Sequence, residues 1–144
     1  MKSPTAACHH HNHANEIQSR RMRILIADDN EVVRCAMRAL LEAQSGWTVC
    51  GEAADGLGAI EKVIELRPEL VLVDVSMPGS NGVEAAKTIR EKLPECEILL
   101  VAEHDASVMK QMAERAGAGG FVLKSRMAYD LIPAVKAAAK HATV

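Results

Sequence analysis

Aromatic side chains are nearly missing from this sequence, which has one Trp, one Tyr and one Phe in 144 residues. A surface that stacks single-stranded bases needs several, so that class of partner is disfavoured, and the core must be built from Leu, Val, Ile, Ala and Met. No apolar run approaches the roughly 20 residues of a membrane-crossing helix. The opening stretch "MKSPTAACHHHNHANEIQSRR" also lacks the apolar segment of a secretory signal. The four cysteines, Cys8, Cys35, Cys50 and Cys96, form no Cys-x-x-Cys pair and no zinc spacing, so reduced thiols in a cytoplasmic protein are expected. An excess charge of one sign is missing too. A net charge of −2 gives no general pull toward nucleic acid or an anionic membrane.

What remains is a chain of ordinary domain size, 49% apolar and 25% charged, a globular composition. Residues 1–21 stand apart as a polar, aperiodic tail holding four of the six histidines. Its "CHHHNH", Cys8 to His13, suits a transition metal through imidazole and thiolate, or is an incidental feature of a disordered tail. Residues 22–144 form the domain.

Within that domain, short apolar runs alternate with helical spacings. Strands are expected over 23–28, 47–54, 69–74, 96–103 and 120–124. Helices are expected over 31–44, 57–67, 83–93, 106–117 and 128–141. Asn30 is placed to cap the first helix, and Asp55-Gly56 reads as a turn. Pro68 and Pro94 stop two helices, Gly117 ends a third, and Pro133 sits in the first turns of the last. Strands that are continuously apolar are buried on both faces. Right-handed crossovers then give an α/β fold with a single, doubly wound, five-stranded parallel sheet and helices on both faces.

In such a sheet, ligands bind beyond the carboxyl ends of the strands. Asp28 and Asp29 end the first strand, Asp74 the third, Ala102 and Glu103 the fourth, and Lys124 the fifth. Carboxylates drawn together cannot all stay ionised without compensation. Mg²⁺ suits a site of few carboxylates and several waters, and a lysine adds a point charge for phosphoryl oxygens. Asp is itself a nucleophile that forms an aspartyl-phosphate. The constellation describes phosphoryl transfer onto a carboxylate. Taken singly, each Asp could be a turn former or helix cap and Lys124 a solvated surface residue.

The segments "RILIADDNEVVR", "LVLVDVSMPGSNG" and "GAGGFVLKS" together resemble the signature of a receiver domain from a bacterial two-component response regulator. "GEAADG" and "DVSMPGSNG" are most similar to receivers that precede a helix-turn-helix domain. The resemblance spans residues 22 to about 141. It implies a flavodoxin-like strand order of 2-1-3-4-5, with Asp74 accepting phosphate from a sensor histidine kinase. It also implies Mg²⁺ held by Asp29, by Asp28 mostly through water, by Asp74 and by the backbone carbonyl of Ser76. Lys124 would bind phosphoryl oxygens, and Pro78 and Gly82 would shape the loop after the nucleophile. Such a domain is no enzyme beyond its own phosphorylation and dephosphorylation. It leaves room for a homodimer and for transcription regulation, with no direct DNA binding expected of these residues and a downstream helix-turn-helix domain as a serious option.

One feature departs from the pattern. The family places Ser or Thr at the end of strand four, where "ILLVAEHD" has Ala102, which has no hydroxyl, and Glu103 beside it supplies none. The aromatic that moves with that hydroxyl would be Phe121, which has no phenolic OH. Coupling of phosphate to the fourth helix and fifth strand is therefore in question, and a receiver-like interaction module that ignores phosphate is the alternative. Ser76 and His104 flank the pocket mouth, where His104 either orients a hydrolytic water or is inert. A small hydrolase with Asp74 as transient nucleophile lacks a dedicated general acid.

Overall fold

The computed structural model describes residues 21–78, 82–103 and 106–142. The histidine-rich segment Cys8 to His13, and His104, lie outside the described residues.

Five parallel strands, β1 (Met22–Ala27), β2 (Trp47–Ala53), β3 (Leu70–Asp74), β4 (Glu97–Ala102) and β5 (Gly120–Leu123), pair in the order β2-β1-β3-β4-β5. Helices α1 (Glu31–Glu42), α2 (Gly56–Leu66), α3 (Gly82–Lys92), α4 (Ala106–Ala116) and α5 (Met127–Ala142) alternate with them. This is the expected doubly wound sheet. Alternation along each strand splits the core in two. Leu25, Ala27, Val71, Val73, Ile98 and Leu100 face α2, α3 and α4 through Val63, Ile89 and Ala113. Ile24, Ile26, Leu70, Leu72, Leu99 and Val101 face α1 and α5 through Met37, Leu41, Leu131 and Val135. With aliphatic side chains filling both layers, a core with almost no aromatics closes.

Local chemistry sets the element ends. Asn30 Oδ1 accepts from the N–H groups of Val32 at 2.9 Å and Val33 at 3.2 Å, supplying the α1 cap. Asp55 caps α2 by accepting from Gly58 N–H at 2.7 Å, so that Gly56 opens the helix rather than completing a turn before it. Strands β1 and β5 each stop one residue short of their polar neighbours. Asp28 thus follows β1, and Lys124 opens a short 3₁₀ turn (Lys124–Arg126) that runs directly into α5. With α5 starting at Met127, Pro133 lies in its second turn, within the first turns as expected, and the missing N–H leaves the Tyr129 carbonyl without its usual i+4 donor.

Arg67 closes α2 in the left-handed region, with φ 49°, where a side chain is strained. The neighbouring carbonyls explain how it is held. Arg23 Nη1 donates to Leu66 O at 2.8 Å and to Arg67 O at 3.1 Å. The exposed Arg67–Glu95 pair contributes little. Arg67→Gly should therefore stabilise the fold by about 1 kcal/mol in urea unfolding; an unchanged or lower midpoint would show that the strain is not there.

Candidate functional site

The site lies at the carboxyl edge of the sheet, where β1 and β3 are neighbours and the crossovers leave on opposite faces, the switch point of this topology. Asp74 is the last residue of β3 and is fully buried, as is Asp28 just after β1. Lys124 reaches both from the end of β5, its Nζ 2.9 Å from Asp28 Oδ2 and 3.3 Å from Asp74 Oδ2. Asp29 is exposed, and ligand oxygens of Asp28, Asp29 and Asp74 all lie within 4.8 Å of one another. The four residues read from the strand ends are thus brought together.

Each carboxylate is held by local backbone. Asp28 Oδ1 accepts from Asn30 N–H at 2.9 Å, so the residue that caps α1 also orients the acid. Asp74 Oδ1 accepts from Ser76 N–H at 3.1 Å and Ser76 Oγ–H at 3.0 Å. Ser76 was expected to act through its carbonyl; the side-chain bond was not anticipated, although a Ser two residues after an Asp is a familiar local partner. The far oxygens, both Oδ2 atoms, face Lys124. Asp28 Oδ2 sits off the line of a hydrogen bond despite its closeness to Nζ, and is buried without one. Burial is the largest influence on the Asp28 carboxyl and raises it above the usual carboxylate range, with the nearby Asp74 adding to the rise; the Asn30 and Lys124 contacts only partly offset this. Burial alone would lower the Lys124 ammonium, but its close contacts with the Asp28 and Asp74 carboxylates outweigh it and raise the group. Glu103, also missed in this role, brings a further carboxylate to 3.8 Å from Lys124 at the exposed rim.

The donor set fits a hard divalent cation. Three carboxylates converge, the buried Asp28 Oδ2 has only an ion-pair contact to Lys124, and the exposed Asp29 leaves a side open to water. Behind Asp74, a Cβ on Gly82 would lie 2.1 Å from Asp74 O and 2.7 Å from Val75 Cα. Only glycine lets α3 start this close to the end of β3. Pro78 is exposed, on the loop that leads there.

Residues 24–136 match the family model for the response regulator receiver domain. The chain belongs to the response regulator receiver family. It is 38% identical to the transcriptional regulatory protein YxjL of Bacillus subtilis over 83% of this chain and 55% of that one. Against LiaR of the same organism the identity is 35%, over 83% and 56%. Among solved structures, a LuxR-family two-component response regulator from Aurantimonas sp. SI85-9A1 superposes with a TM-score of 0.78 at 36% identity, covering 82% of this chain and 84% of that one. The receiver domain of the putative regulator NarL from Mycobacterium tuberculosis gives 0.78 at 30%, covering 85% and 98%. The chain spans about half the length of the curated relatives it matches. Among the described residues no helix is long and apolar enough to cross a membrane.

Two further residues singled out in this receiver lie on one face. Ala102 ends β4, almost fully buried, and Phe121 packs against the same cluster from β5. Asp74 pairs with Val101 in register, and Ala102 with Leu123, so Ala102 stands one step beyond Asp74 on the adjacent strand.

Two outcomes follow from this geometry. Gly82→Ala should cost about 1–3 kcal/mol by overpacking and shift the amide signals of Asp74 and Val75; a wild-type spectrum would contradict the contact. In metal-free protein, Asp28→Asn should be more stable than wild type at neutral pH, because folding buries an ionised carboxylate whose pKa is raised. That advantage should shrink as pH falls through the raised Asp28 value toward the ordinary carboxylate range, where folded and unfolded wild type both hold the proton. Denaturant unfolding across this range checks it, and an advantage that grows on acidification would reverse the sign.

Proposed function

We propose that this receiver accepts a phosphoryl group on Asp74 from the phosphohistidine of a sensor kinase. The observation that carries the reading is Lys124 Nζ set between the buried Asp28 and Asp74 carboxylates. Asp28, Asp29, Asp74 and the backbone carbonyl of Ser76 would hold Mg²⁺, which when bound neutralises phosphoryl oxygens. An Asp74 carboxylate oxygen attacks phosphorus as the bond from phosphorus to the imidazole nitrogen breaks, and the bonding pair returns to a phosphohistidine ring whose other nitrogen is protonated. The product is an acyl phosphate and a neutral histidine that keeps that proton. Lys124 is placed to exchange one carboxylate contact for a phosphoryl oxygen. Ser76 holds Asp74 Oδ1, which fixes the carboxylate plane. The chain's own chemistry ends with gain and loss of this group, and its output is a changed protein-interaction surface within a transcription regulator, with a homodimer as one form of that output.

A second reading follows from Ala102. Activation by population shift needs a contact that differs between the two states, and a charge-assisted hydrogen bond worth about 1.5–3 kcal/mol is not available from an alanine. In that reading the domain keeps the fold and the pocket but its interaction surface does not respond to phosphate.

Intact-mass measurement after treatment with a small phosphodonor and Mg²⁺ tests the first reading. Wild type should gain one phosphoryl group and Asp74→Asn none; no adduct on wild type, or an equal one on the variant, would sink it. Amide shifts of α4 and β5 on adding a phosphoryl mimic separate the two. Shifts in wild type support a responsive surface, whereas shifts that arise only in Ala102→Ser or Ala102→Thr support the insensitive module.

A further inference from the structure

Beyond the residues that face the pocket, a guanidinium grips its backbone from behind. Arg34 lies in the first turn of α1, and its side chain is only 17% exposed. Nη1 donates to Asp28 O at 2.7 Å, and Nε donates to Glu52 Oε1 at 2.7 Å. Glu52, on β2, is held in turn by Arg38, whose Nε and Nη2 donate to Oε2 at 3.0 and 2.6 Å. Burial alone would raise the Glu52 carboxyl, but the hydrogen bonds from Arg38 and then Arg34 bring it below the usual range, so it stays ionised at neutral pH. Asp28 N–H donates to Ala53 O at 3.0 Å. The peptide groups on both sides of Asp28 are therefore fixed, one by β2 and one by α1, and Asn30 N–H fixes Oδ1. Only Oδ2 is left to face Lys124 and Asp74.

We propose that Arg34, locked by Glu52, is a positioning residue for the acidic pocket: by holding the Asp28 carbonyl it aims the Asp28 carboxylate and sets how well the pocket holds a divalent cation. The inference rests on the phospho-acceptor reading for its functional meaning. The rigid fork of a guanidinium suits the task because it spans a carboxylate on one element and a carbonyl on another with fixed geometry. An ammonium can satisfy one of them. The same relay, Arg38 to Glu52 to Arg34 to Asp28, ties the outer face of α1 and β2 to the pocket, so anything that displaces Glu52 loosens the acid.

The test compares wild type with Arg34→Gln, Arg34→Lys and Glu52→Gln, and with Leu40→Ala as a packing variant on α1 that touches none of these groups. Mg²⁺ affinity is measured by calorimetry, phosphorylation rate from a small phosphodonor as a function of Mg²⁺, and amide hydrogen exchange in metal-free protein. Removing an outer partner of a metal-binding acid weakens metal binding about tenfold or more; Arg34→Gln should show this, Glu52→Gln should move the same way, and Arg34→Lys should recover part. At saturating Mg²⁺ the rate should return to within about twofold of wild type, since Arg34 touches neither Asp74 nor the transferred group. Leu40→Ala should keep wild-type affinity. In metal-free protein, Asn30 and Val32 amides should exchange faster in Arg34→Gln than in Leu40→Ala. Wild-type Mg²⁺ affinity in Arg34→Gln, or an equal loss in Leu40→Ala, would overturn the proposal. If wild type itself ignores Mg²⁺, that counts against the proposed function, and the exchange of Asn30 and Val32 then decides the clamp alone.

Discussion

Everything at the carboxyl edge of this sheet depends on one arrangement, the Lys124 ammonium held between two fully buried carboxylates. Burying a charge is costly unless it is paired, and here one cation faces two anions. The deficit shows locally as an Asp28 oxygen without a hydrogen bond and a carboxyl raised above its usual range. Removing the cation would strand both acids, whereas neutralising Asp28 leaves Lys124 paired with Asp74. The imbalance is also a capacity. Spare negative charge and an open side at Asp29 suit a divalent cation.

The surrounding fold reads as support for that arrangement. Asp74 can end a strand in the core because Ser76 satisfies one of its oxygens from the next turn. Asp28 can follow β1 because Asn30 both caps α1 and donates to the acid. Gly82 lets α3 begin against the Asp74 carbonyl, a place where any Cβ would collide. The alternating aliphatic layers on the two faces of the sheet leave the polar chemistry at one edge.

Much of this was legible in the sequence, and for identifiable reasons. Continuous apolar strands such as "LVLV" can only be buried on both faces, which gave the sheet, and charged residues at the ends of the first, third and fifth strands gave Asp28, Asp29, Asp74 and Lys124 as a group. What the pattern could not carry were partners fixed by three-dimensional reach. Arg34 looks like the polar face of an amphipathic helix, and Glu52 like an outward residue of a half-covered strand; only the crossover of α1 over β2 joins them. The Ser76 hydroxyl and the approach of Glu103 to Lys124 likewise depend on side-chain direction. Element ends drifted by a residue where a polar side chain, rather than an apolar run, sets the boundary, as at Asp55 and Lys124.

If the pocket is built to be completed by a cation, folding stability must depend on that cation, because a ligand bound only by the native state stabilises it in proportion to the logarithm of its concentration. Thermal unfolding across a Mg²⁺ series, with ionic strength held constant, is the direct measurement. The account predicts a midpoint that climbs steadily with Mg²⁺ for wild type and stays flat for Asp28→Asn. A flat wild-type response, or an equal climb in both proteins, would contradict it.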